Sequence, residues 1–150
     1  MSAPESALLV QQAIQWSVAP VFLLTGIAGL LGVMANRLAR IIDRGRYFEG
    51  RWGQLDHAAR HAVQPELSNL ERRRQLASQA INAITFAALL VCLVVATLFI
   101  EALLGLPMKW PAGILFIGSM AALITSLTAF LREVHLATST VRIPVSMLEH

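Results

Sequence analysis

The chain has 150 residues, 56% of them hydrophobic and only 14% charged, with a formal net charge of +3. That balance excludes an ordinary soluble globular domain. The single cysteine, Cys92, excludes an internal disulfide framework, and its place inside an apolar block marks a packed thiol rather than a redox centre.

The N-terminal segment MSAPESALLVQQAIQW has no basic residue ahead of the first apolar block and no short apolar run ending at a cleavage site. The first apolar block therefore reads as retained in the mature protein. Residues 18–35 carry no charge. At 1.5 Å per residue they reach about 27 Å, close to a hydrocarbon core of about 30 Å. Two further uncharged blocks, 80–100 and 111–131, are long enough to cross with some tilt. Continuous apolarity predicts helices, because barrel strands alternate lipid-facing and lumen-facing residues. The expected fold is an all-α integral membrane protein, one membrane domain over 1–150 with three transmembrane helices.

Between the first two spans, residues 36–79 predict a helical hairpin. At 100° per residue Arg37, Arg40, Asp43, Arg44, Tyr47 and Arg51 share one face, and Leu38, Ile41, Ile42 and Phe48 the other. This is an amphipathic helix continuing out of the first span, weakened at Gly45, Gly50 and Gly53. Pro65 is read as a breaker, after which Leu67, Leu70, Ala77 and Ile81 predict a second amphipathic helix running into the second span. The two apolar stripes pack on each other or on a neighbouring subunit, and the basic faces point to solvent or headgroups. His57 and His61 stand four apart, a zinc-chelating spacing. Ala58, however, replaces the glutamate of H-E-x-x-H, and only Asp56 adds a further ligand. A solvated helix face is the reading, with no metal or other cofactor expected.

Nine of the twelve basic residues lie in 36–79, the stretch between the second and third spans holds only Lys109, and Arg132 and Arg142 follow the third. The positive-inside rule then makes the hairpin and C-terminus cytoplasmic and the N-terminus external, with Trp16 and Trp110 at the outer interface. On that side LLGLPMKWP reads as a tight turn in which Glu101 and Lys109 are near enough to pair.

Three groups of residues bear on function. At the cytoplasmic ends of the spans, Asn36, Arg37, Arg40, Gln79, Asn82, Arg132, Glu133 and His135 come to one level. They form either inter-helix polar contacts, with Glu133 paired to Arg37 or Arg40, or the charged mouth of an oligomeric pore. Gly26, Gly29, Gly32 and Ala35, with Gly113, Gly118, Ala121, Ala122, Ser126 and Ala129 in the third span, predict tight helix contacts. Three helices can hardly enclose a pore alone, so a homo-oligomer is expected. The hairpin's nine arginines face five acidic residues and no separable basic domain, which speaks against a nucleic-acid partner and for topology and contact with membrane lipids. Enzyme activity is not expected: there is no G-x-S-x-G elbow, no Gly-rich phosphate loop, and no ionisable group deep in the spans.

The segments APVFLLTGIAGLLGVMANRLARIIDR, LERRRQLASQAINAITFAALLVCLVVATLFI and FLREVHLAT, in that order, resemble the uncharacterised bacterial membrane family known as domain of unknown function 2721. NRLARI, ERRRQL and FLREVHLA are the distinctive parts, and the resemblance runs over residues 13–141. It implies a bacterial three-span protein of the inner membrane and carries over no functional residues. The expected function is a homo-oligomeric channel for ions or small solutes with the charged rim at its cytoplasmic mouth; the alternative is a membrane-anchored adaptor or scaffold whose hairpin binds a protein partner or anionic lipid.

Overall fold

The computed structural model describes residues 3–104 and 109–139. They form three helices, α1 (Ala3–Arg51), α2 (His57–Leu104) and α3 (Lys109–Ser139), with a 3₁₀ turn at Trp52–Gln54 between the first two. Each helix is long and apolar enough to cross a membrane. At 1.5 Å per residue, α1 and α2 are each about 70 Å long, more than twice a hydrocarbon core of about 30 Å. Span and hairpin helix are therefore one rod. Only 17%, 22% and 11% of the most apolar windows of α1, α2 and α3 are buried within the chain. The outward surface, with Phe22 and Ile117 more than two-thirds exposed, is suited to lipid or a second subunit rather than water.

The packing follows a seven-residue repeat. In α1 Ala13, Pro20, Ile27, Met34, Ile41 and Phe48 are buried at this spacing, with Ser17 buried between the first two; in α3 the buried positions are Ala112, Ser119, Ser126 and Glu133. Along α2, Ala77, Ala80, Ile84, Ala87, Val91 and Val94 alternate steps of three and four. A period of 3.5 residues is the seam of helices that supercoil left-handedly with interlocking side chains. Helix α2 is central: it packs along both α1 and α3, whose backbones hardly approach each other. Ile27 and Met34 meet Ala80, Ile84 and Val91, with Leu123, Leu127 and Phe130 of α3 closing the cluster. Alanine at 77, 80 and 87 leaves room for α3, and the Ser126 hydroxyl donates to the Ala80 carbonyl at 2.7 Å while lying 3.9 Å from the Met34 sulfur.

Several expectations from sequence need correcting. Pro65 does not break the hairpin; it lies inside α2, which starts at His57. The chain turns earlier, where Asp56 caps α2 by accepting the Ala59 N–H on its carboxylate at 2.8 Å and the Arg60 N–H on its carbonyl at 3.0 Å. Pro65 is exposed, so water can replace the helix bond that its missing N–H forgoes. Helix α1 runs through Gly45 and Gly50 to Arg51. Gly26, Gly29 and Gly32 make no tight contact within the chain: a Cβ on any of them would meet nothing described within 4 Å. The α1 seam runs through Ile27 and Met34, and these glycines lie on other arcs of the helix. Gly118 does sit close, 3.5 Å from Leu90 when given a Cβ. Leu106, Pro107, the Lys109 side chain proposed to pair with Glu101, and the tail with Arg142 lie outside the described residues.

Candidate functional site: a buried carboxylate at the rim of the spans

Two residues beyond the uncharged stretch of α3, Glu133 falls on the same seven-residue register as Ser119 and Ser126 and is carried inside, with no exposed surface. Arg73, seven residues before Ala80, shares that alanine's face of α2. Its Nε and Nη2 both donate to Glu133 Oε1, at 3.1 and 3.0 Å. Arg37, three residues beyond Met34 in α1, brings its Nε to 3.3 Å from Oε2 and stacks over Phe130 at 5.4 Å. Oε2 is fully buried and receives no aligned hydrogen bond from the described residues, so Arg37 holds it by charge alone. One carboxylate thus ties three helices together. A buried anion is costly unless paired, and here two cations enclose it.

The same registers continue outward along the hairpin. Arg44, seven beyond Arg37, donates from Nη2 and Nε to Oε1 of Glu66, seven before Arg73, at 2.7 and 3.1 Å. It also stacks over Phe48 at 4.8 Å. Arg51, next in that row, donates to the Tyr47 hydroxyl and stacks on its ring, while Arg60 lies over Trp52 at the turn. On the exposed side of α2, hydrogen bonds from Arg74 and then Gln75 hold the Glu71 carboxyl down to about 2 from its ordinary 4.5, and the pairing raises Arg74 in return.

Of the residues anticipated at the rim, the structure brings together Arg37 and Glu133. Arg37 therefore turns inward from the solvent face on which the helical wheel placed it, whereas Arg44, paired to Glu66, stays exposed there. Asn36, Arg40 and Asn82 are exposed outside the cluster, and Arg132 and His135 are exposed on α3, flanking a groove shared with Arg72 and Gln79 of α2. Arg73 was not anticipated as a site residue; its signal is the seven-residue offset from Ala80. His57 and His61 are exposed near the start of α2, and among the described residues no three metal-ligating side chains converge. At the opposite end a cavity of about 440 Å³ lies among Leu9, Trp16, Pro20, Val94, Glu101 and Phe116. The enclosed carboxylate has no face open to a substrate, so its chemistry is that of an electrostatic clamp.

Apolar helices with outward-facing leucine and phenylalanine, a polar seam along α3, and an arginine-rich extension define an all-α membrane protein with three candidate spans. Residues 17–143 match the family described as protein of unknown function DUF2721, and the chain belongs to that family. The match takes in Arg37, Arg73 and Glu133. No curated protein and no solved structure matches the chain.

Proposed function

We propose that this chain is a membrane-anchored scaffold of the bacterial inner membrane whose helical arm, residues 36–79, stands in the cytoplasm and binds a soluble protein partner. The observation that carries the reading is the continuity of span and arm: α1 and α2 pass from one into the other without a break, cross-braced by Arg44–Glu66 and fixed at the rim by Glu133. On α1 the arm extends by 16 residues, about 24 Å. It exposes Arg40 and Arg46, which have no acidic partner among the described residues, beside the exposed Ile42 and Tyr47. A surface mixing arginine with aromatic and aliphatic side chains suits a protein partner. The reading assigns the chain no catalytic step.

In-cell photocrosslinking tests it. A crosslinker at Arg46 or Ala62 is expected to give discrete protein adducts, and one at Ile117 in α3 none. The absence of adducts from both arm positions overturns the reading. Labelling of a Gly53→Cys variant from the cytoplasmic side alone checks the orientation.

A homo-oligomeric channel is the second reading. The unpacked Gly26, Gly29 and Gly32 favour it, since an open row of small residues beside the exposed Thr25 is suited to close approach by a second copy. Flux into proteoliposomes, compared with Glu133→Gln and Arg40→Ala, separates the two. A monomer without flux removes the channel.

A further inference from the structure

We infer that the groove between α2 and α3 beside the rim is a headgroup site for an anionic phospholipid. The inference is independent of what the arm binds. The groove, about 750 Å³, brings Arg72 and Gln79 of α2 to Arg132 and His135 of α3 over an apolar floor that includes Leu76 and Leu131. Leu131 ends the uncharged stretch of α3 and is two-thirds exposed, so an acyl chain lying along α3 leads its glycerol and phosphate directly to Arg132.

Charge decides the class of lipid. The nearby carboxylates are already engaged, Glu133 by Arg37 and Arg73 and Glu71 by Arg74 and Gln75. Arg72 and Arg132 have no acidic partner within 4 Å among the described residues. Two guanidiniums with no local counter-charge, at the level where apolar helix meets polar rim, attract a phosphodiester. A zwitterionic headgroup brings its own cation against them, whereas phosphatidylglycerol does not. The Gln79 amide and the His135 imidazole supply donors for the remaining phosphate and glycerol oxygens.

The test uses the full chain in mild detergent, titrated with phosphatidylglycerol, phosphatidylcholine or glycerol phosphate and followed by native mass spectrometry and melting temperature. Phosphatidylglycerol is expected to bind about tenfold more tightly than phosphatidylcholine, as two arginines near a charged surface contribute. Arg72→Gln and Arg132→Gln should each weaken it about fivefold, and Arg132→Lys should retain most of the preference. Arg46→Gln, on the arm, should leave it unchanged. Both groove arginines are exposed, so helicity of the lipid-free variants by circular dichroism should match the parent. Equal affinity for the two lipids overturns the inference, as does an equal loss with Arg46→Gln. Displacement of the lipid by equimolar glycerol phosphate overturns it in favour of a site for free phosphate esters.

Discussion

Glu133→Gln is the most informative single change. The parent carboxylate is fully buried and receives two bonds from Arg73 and the charge of Arg37. Removing one partner of a buried ion pair costs about 3–5 kcal/mol, because the partner's charge is left uncompensated. Here the arginine side chains keep 24% and 33% exposure, so part of their hydration is recoverable. The expected cost is therefore smaller, about 2–3 kcal/mol. The geometry also fixes an order. Arg73→Gln removes both aligned bonds and should cost about 2 kcal/mol, whereas Arg37→Gln removes a 3.3 Å contact and the Phe130 stack and should cost about 1 kcal/mol. Reversible unfolding in mixed micelles, followed by circular dichroism, measures all three. Glu133→Gln combined with Arg73→Gln should fall short of the sum by about 1–2 kcal/mol. A loss below about 0.5 kcal/mol for Glu133→Gln, or a larger loss from Arg37 than from Arg73, would refute the clamp. Replacing all three by methionine or leucine is expected to be neutral or stabilising, which separates leaving a charge stranded from losing the network altogether.

Other outcomes are fixed as closely. Ala80→Leu should cost about 1–3 kcal/mol by forcing α3 off α2, with loss of the Ser126 bond visible as faster exchange near the contact. Asp56→Ala should cost about 1 kcal/mol through the lost cap, while Pro65→Ala should stabilise by about 1 kcal/mol, the reverse of what a structural breaker would give. Gly29→Leu should leave monomer stability within about 0.5 kcal/mol, so any large effect appears as weakened self-association in a crosslinking or sedimentation assay. The Glu71 carboxyl, with a folded value near 2 against an ordinary 4.5, makes its stabilising contribution in full above pH 4.5 and loses it as pH falls towards 2. A carbon-13 carboxyl titration with a midpoint at 4.5 would remove the Arg74 and Gln75 contacts as its cause.

The spans were legible because their signal is redundant: a long run without charge is read the same way whichever face is buried. The hairpin's existence was legible too, from amphipathic periodicity, but its turn was misplaced. A proline on a solvated face loses one bond to water, whereas an aspartate three residues before a free N–H satisfies a helix start directly. The small-residue stripe of α1 finds no neighbour among the described residues of a single chain. Glycine spacing reports where a backbone could come close, not which surface has a neighbour, and in α1 the neighbour lies on the arc of Ile27 and Met34.

Half of the clamp could be seen at the sequence level because Glu133 is the acidic residue nearest the end of the third span and Arg37 the first base after the first. Its other half needed the period of the packing. A helical wheel at 100° per residue spreads Arg37, Arg44 and Arg51 over one broad basic face and treats them alike. At 3.5 residues per turn they become a single row, continuous with Leu23 and Leu30 within the first span, while Glu66 and Arg73 continue the row of Ala80 and Ala87. Read in that register, each row changes from apolar to charged where its helix reaches the rim, and opposite charges meet across it: Arg44 finds Glu66, and Arg73 is left facing α3, where Glu133 waits on a seam of small polar residues. The surplus positive charge of the triad follows from this placement, since the carboxylate on α3 must answer both rows at once.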